Sequence, residues 1–218
     1  GTHSVLEAMK NQQVKQIAFS SSATVYGEPD VFPTPENCEL IQTSVYGASK
    51  LAGEAYIEAY SEYYDMQSFI FRFVSWIGER YSHGVIYDFV KKLQNNPHQL
   101  EILGNGNQKK SYLYVKDGVS GIFKAMEVFK DKKNIFNLGH TDYMPVTDLA
   151  GIIIDEMGLK NVAFNFTGGE RGWIGDSPLV SLDVRKLNNK GWIAKTGLEE
   201  GIRKTTRYLL DNPETIIR

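Results

Sequence analysis

The sequence predicts an α/β fold, because strand-length and helix-length segments alternate along most of its 218 residues. Two further observations narrow the class. Ser68-Phe69-Ile70-Phe71-Arg72-Phe73 is an apolar-rich run of strand length, the pattern of a strand buried on both faces of a parallel sheet. Apolar residues recur at helical spacing between such runs, with no internal repeat or low-complexity linker.

Taken in order, Gly1 to Lys10 reads as a helix already under way, with Val5, Leu6 and Met9 at helical spacing and no capping sequence before them. The chain is therefore expected to start in mid-domain. Val14 to Phe19 is the first strand and leads into Ser20, Ser21 and Ser22. Pro29, Pro33 and Pro35 keep the next stretch irregular until a helix begins near Ser44 and runs to about Tyr64. After the strand Ser68–Phe73 come a loop over 78–84, a helix to about Asn96, and short strands over Leu100–Leu103 and Ser111–Val115. Gly104-Asn105-Gly106 reads as a hairpin turn, since Asn-Gly favours type I′ geometry. Helices over Asp117–Phe129, Val146–Met157 and Leu198–Leu210 alternate with strands over Ile135–Leu138 and Asn161–Phe166. Asp117 is expected to cap its helix.

Composition bounds the function. With 42% hydrophobic residues the chain can bury a core, as one large domain or two small ones. A formal net charge of -2 gives no overall pull toward nucleic acid or an anionic membrane, so neither is an expected partner. Cys38 is the only cysteine, which rules out an internal disulfide and a cysteine-built metal cluster and suits a reducing cytoplasm. The histidines show no ligand spacing, so no metal is expected. Apolar runs such as Ile152-Ile153-Ile154 are far too short to cross a bilayer, and no charged-then-apolar leader opens the chain.

Two stretches carry chemistry. The first is the serine-bearing strand end, and the second is the helix start Tyr46-Gly47-Ala48-Ser49-Lys50. Tyr46 and Lys50 lie on one helical face, close enough for the ammonium to act on the phenol. Tyr87/Lys91 and Tyr112/Lys116 share that spacing, but Tyr87 reads as a packing residue of an amphipathic helix and Tyr112 as part of a strand. Only the Tyr46 motif follows a serine-ended strand, and its small residues would let a flat ligand approach the helix. A phenol acting as base near neutrality must be made more acidic than its ordinary pKa of about 10, and three units correspond to about 4 kcal/mol. An ammonium one turn away supplies part of that. No Gly-x-Gly-x-x-Gly or Gly-x-x-Gly-x-x-Gly phosphate cradle occurs in the sequence.

Phe19-Ser20-Ser21-Ser22-Ala23-Thr24-Val25-Tyr26-Gly27 followed by Tyr46-Gly47-x-Ser49-Lys50 resembles the extended short-chain dehydrogenase/reductase family, specifically its nucleotide-sugar epimerases of the UDP-glucose 4-epimerase kind. The resemblance runs to the C-terminus. It implies the C-terminal part of a Rossmann-like doubly wound parallel sheet plus a small α/β substrate-binding lobe. Residues 1–75 would be the remainder of the dinucleotide-binding domain, and 76–218 mostly the nucleotide-sugar lobe, with elements partly returning to the sheet. About 90 residues, three strand-helix units of about 30 each, would precede them with the glycine-rich loop. The chain is thus expected to be a fragment or a truncated reading frame.

The same resemblance implies roles. Tyr46 is the base, and Lys50 acidifies it and holds the nicotinamide ribose of NAD. Ser22 hydrogen-bonds the sugar hydroxyl being oxidised. Ala23 and Thr24 stand where the family's dehydratases carry an Asp-Glu pair, which disfavours elimination of water. Ser75 replaces an asparagine that touches the nucleotide sugar. Lys110 replaces an arginine that grips the diphosphate, keeping the charge but losing the bidentate fork. Arg171 resembles the second diphosphate arginine, at a longer spacing than usual from Asp176. Val180 aligns with a position that gates sugar size and would leave room for an N-acetyl group. The expected reaction is NAD-dependent epimerisation of a UDP-hexose at carbon 4 through a transient 4-keto sugar, by a homodimer paired through the helix from Lys50 to Tyr64. A nucleotide-sugar 4-reductase or oxidative decarboxylase, or a non-catalytic sugar-nucleotide-binding module, are the other readings the sequence leaves open.

Overall fold

A computed structural model describes residues 1–173 and 175–216. The chain opens with α1 (Thr2–Asn11), β1 (Gln16–Ser22), a 3-10 turn (Ala23–Tyr26), α2 (Val45–Tyr64), β2 (Gln67–Phe73) and β3 (Ser75–Ile77). It continues through α3 (Val85–Asn95), β4 (Gln99–Ile102), β5 (Lys109–Lys110), β6 (Tyr112–Tyr114), α4 (Val115–Val128) and β7 (Lys133–Leu138). Then come β8 (Met144–Pro145), α5 (Val146–Glu156), β9 (Ala163–Phe166), β10 (Leu179–Val180), α6 (Arg185–Asn188) and α7 (Leu198–Asp211). The fold is mixed α/β, as the alternation predicts. Two compact units divide it: residues 1–74, 119–139 and 182–193 form the first, and residues 75–118, 140–181 and 194–216 the second.

In the first unit, β1, β2 and β7 form a parallel sheet in that order, with Ser22 opposite Phe73 and Phe73 opposite Leu138. β2 is the central strand, buried through all but its end residues, which is why its sequence shows no polar alternation. Leu6 of α1, Ile57 of α2 and Ile70 of β2 are fully buried together, with Met9, Ile17 and Phe19 against them. Helix α2 starts at Ser44, whose Oγ accepts the Gly47 N–H at 3.0 Å, and stops at Asp65, which adopts the left-handed conformation (φ 52, ψ 53). It lies close on β1: a Cβ at Gly53 would stand 2.7 Å from the Phe19 ring.

The core of the second unit gathers α3, α5 and α7 around β4 and β6, through Phe89, Leu93, Leu100, Ile102, Ile153 and Ile202. The hairpin expected around Asn105-Gly106 does not form. β4 pairs in parallel with β9, Gln99 opposite Ala163, and β6 pairs in parallel with β3, Ser75 opposite Tyr112. Gly104 and Gly106 do take positive φ (83 and 82), and Asn105 Oδ1 accepts the Asn107 N–H at 2.9 Å. Asn-Gly therefore specifies a turn, while β4, with Leu100 and Ile102 buried, takes its partner from far along the chain. Asp117 is also displaced from its expected place: it lies inside the first turn of α4 and accepts the Thr196 N–H at 2.8 Å.

Candidate active site

The serine run closes β1. Ser22 stays extended (φ -152, ψ 150) and its Oγ accepts from the Thr24 N–H at 3.2 Å and the Thr24 hydroxyl at 3.0 Å, so it caps the 3-10 turn that follows. The hydroxyl proton of Ser22 is thereby left for another acceptor.

On α2, Tyr46 is 52% exposed and Lys50 half-buried. The Lys50 ammonium lies 5.7 Å from the Tyr46 ring centre and 5.3 Å from that of Phe19, and donates to the Ser20 carbonyl at 2.7 Å. The structure thus brings Lys50 to Tyr46 and ties it to the strand two residues before Ser22. Its other two N–H bonds have no partner among the described residues. Gly47 is small for a different reason from the one its sequence suggests. It faces inward, where a Cβ would come within 2.6 Å of the Thr24 carbonyl and 2.7 Å of Gln42 Oε1, so glycine allows α2 to pack against the 3-10 turn. Ala48 and Ser49 are exposed. Gln42 adds a clasp, its Nε2 donating to the Val25 carbonyl at 2.6 Å.

The other Tyr/Lys pairs are committed elsewhere. The Tyr87 hydroxyl donates to the Ile216 carbonyl at 2.9 Å, and Tyr112 is buried in β6, where burial pushes its phenol well above the usual range.

Beneath the site lies a polar network that the sequence reading passed over. Arg72 of β2 and Glu54 of α2 form an ion pair (Nη2 to Oε2 2.7 Å) with both side chains 3% exposed. Glu54 Oε1 also accepts from Ser21 Oγ, next to Ser22. Arg72 Nη1 donates to the Tyr26 hydroxyl at 3.0 Å and to the Glu36 carbonyl at 2.9 Å, and Tyr26 donates to Asn137 Oδ1 at 2.6 Å. Burial raises the Tyr26 phenol to about 12, and desolvation, which works against the Arg72 charge, is outweighed by the hydrogen bonds that Arg72 donates to Glu54 and Tyr26. The available signal was Arg72 itself: a charge inside a run buried on both faces requires a buried partner.

In the second unit, Lys110, Arg171, Asp176 and Val180 come together. Lys110 sits on β5, the middle strand between β10 and β8, with Val180 opposite it. Its ammonium pairs with the Asp176 carboxylate. Asp176 is buried; its Oδ2 accepts the Gly172 N–H at 3.1 Å, and its carbonyl accepts Arg171 Nη1 at 3.0 Å. The Asp176 side chain is therefore engaged by its own chain, and it holds Lys110 and the Gly172 amide in place. Ser75 is exposed at the start of β3, on a separate ladder opposite Tyr112. Among the described residues, no cluster of His, Cys, Asp and Glu could hold a metal, and no helix is long and apolar enough to cross a membrane.

Residues 1–139 match the family model described as the NAD dependent epimerase/dehydratase family. A Methanocaldococcus jannaschii protein described as a UDP-glucose 4-epimerase is 33% identical over 220 residues, which cover 99% of this chain and 70% of that protein. A crystal structure of UDP-galactose 4-epimerase is similar at a TM-score of 0.87 and 35% identity, over 97% of this chain and 68% of that one. UDP-glucose 4-epimerase of Thermotoga maritima, solved with UDP-glucose, is similar at a TM-score of 0.83 and 29% identity, over 97% of this chain and 69% of that one.

Proposed function

The chain belongs to the NAD dependent epimerase/dehydratase family, and from that premise we propose that it inverts carbon 4 of a UDP-hexose through a transient 4-keto sugar. The observation that carries this reading is the Lys50 ammonium placed over the ring of an exposed Tyr46 and tied to the serine-bearing strand end.

The donor set fits the nicotinamide end of NAD: Lys50 has N–H bonds to give to a ribose, and Tyr46 is open beside it. The sequence has no glycine-rich pyrophosphate cradle, so the residues present account for that end only. The chemistry supplied by bound NAD is the acceptance and return of one hydride. Tyr46 takes the proton of the 4-hydroxyl and later gives it back, Lys50 stabilises the phenolate, and Ser22, whose proton is uncommitted, hydrogen-bonds the same sugar oxygen. Ala23 and Thr24 offer no carboxyl group, and the Thr24 hydroxyl is turned onto Ser22, which sets the site against dehydration.

In the second unit we assign Lys110 and Arg171 to the substrate diphosphate, held in place by Asp176, with Ser75 and Val180 toward the sugar nucleotide. A firm hold on the diphosphate retains the keto sugar while it turns. The exposed face of α2, with Tyr56 and Tyr63 at 48% and 84% exposure, is proposed as a homodimer contact, and light scattering that returns a monomer mass would remove it. The free Cys38 suits a cytoplasmic setting.

The test is to incubate the complete protein that carries this chain with UDP-galactose without added cofactor, separate the products, and follow absorbance for net NADH. Interconversion with UDP-glucose and no net NADH is expected. Tyr46→Phe, at an exposed position that leaves the fold intact, is expected to slow it by about 10²–10⁴-fold. Net production or consumption of NADH would replace the epimerase reading with a reductase or decarboxylase, and no turnover of any nucleotide sugar would leave a binding module.

A further inference from the structure

We propose that Ser21 and Glu54 are positioning residues for Ser22, Tyr46 and Lys50, with Arg72 as the buried counter-ion that holds Glu54; this rests on the epimerase reading above. Tyr46, Lys50 and Glu54 are spaced four apart and share one face of α2. That face is fastened to β1 at two successive residues: Lys50 donates to the Ser20 carbonyl at 2.7 Å, and Ser21 Oγ donates to Glu54 Oε1. The next residue is Ser22.

These two fastenings fix how far α2 can slide or roll along the end of β1, and hence where the phenol stands relative to the Ser22 hydroxyl. The Lys50 tether is half-buried and uses the group that would also meet a ribose, so it is free to loosen as ligands bind. The Glu54 tether is 2% exposed and held rigid by bonds from Arg72 at 2.7, 3.1 and 3.2 Å. Arg72 reaches from the central strand, and through Tyr26 to Asn137 of β7, so the helix face is referenced to the whole sheet. A buried ion pair is an expensive way to join a helix to a strand if stability is the only gain. A fixed distance between reacting groups is a second gain, because a misplacement of about 1 Å can cost about a hundredfold in rate.

Ser21→Ala isolates the tether, because it removes the strand's link to Glu54 and leaves the ion pair whole. Glu54→Gln would strand Arg72 and is the poorer probe. We expect Ser21→Ala to lower kcat about tenfold, equivalent to about 1.4 kcal/mol at the transition state, with KM for UDP-galactose within about twofold. Ser21→Thr, which restores a hydroxyl, is expected to recover most of the loss. Amide hydrogen exchange should quicken over residues 20–26 and 44–50 and stay unchanged in the second unit. An unchanged kcat in a folded Ser21→Ala, or no recovery by Ser21→Thr when that variant is folded, would overturn the proposal. If the unaltered protein turns over no nucleotide sugar, the epimerase reading fails by itself, and the exchange comparison then decides: equal rates over 20–26 and 44–50 would overturn the positioning role.

Discussion

Replacing Arg72 by methionine leaves Glu54 as a carboxylate in a site where its side chain is 3% exposed, with Ser21 its one remaining donor among the described residues. Breaking a buried pair in this way costs about 3–5 kcal/mol, a large share of the roughly 5–15 kcal/mol that holds a domain folded. Tyr26 keeps Asn137, but the Glu36 carbonyl loses its donor, at a further cost of about 1–3 kcal/mol. Replacing Glu54 by leucine at the same time removes the stranded charge and leaves the second cost together with that of the buried Ser21 hydroxyl, which loses its acceptor. The double variant should therefore be more stable than Arg72→Met alone, by about 2 kcal/mol or more. Urea unfolding followed by far-UV circular dichroism measures all members of the cycle, and equal slopes would show that the same surface is exposed in each. If the two single losses add to the double loss within about 0.5 kcal/mol, the charges are not coupled and the reasoning is wrong.

Other outcomes follow from named groups. The Tyr26 phenol stands at about 12 because it is buried, above the roughly 10 of an unfolded tyrosine. The stability it contributes is whole below pH about 10 and is lost as pH rises toward the folded value, so Tyr26→Phe should remove that leg from the alkaline unfolding curve. Lys110→Ala should raise KM for UDP-galactose about tenfold or more with a smaller change in kcat, since a charge-assisted bond contributes about 1.5–3 kcal/mol; initial rates over a range of substrate concentration decide it. Ile70→Ala, at a fully buried position, should cost about 2–5 kcal/mol in the same urea assay.

The longer helices and the first two strands were legible because local signals sufficed: Ser44 before an amphipathic run, prolines in the loop before it, and an apolar strand without alternation; the four-residue α6 was not. The ladders of the second unit were not, because Gln99 finds Ala163 and Lys109 finds Pro145 far along the chain, and no local pattern states a partner. At the site, the closeness of Tyr46 and Lys50 follows from helical spacing alone. The pairing of Lys110 with Asp176, 66 residues apart, does not. Arg72 was readable in part, since its neighbours announced burial, but the identity of Glu54 as its counter-ion needed the register between α2 and β2.

The carboxylate of Asp176 acts on Lys110 as a resident competitor. Any anion that engages this ammonium must match a partner whose second oxygen is already anchored on the Gly172 N–H. A chloride ion or a monocarboxylate brings one charge, exchanges like for like, and gains nothing. On the diphosphate assignment proposed above, a diphosphate would bring enough charge to address Lys110 and the Arg171 guanidinium together, and the site would select by valence before it selects by shape. Asp176→Asn would lower that threshold, and small anions such as chloride would become inhibitors that the native turn ignores.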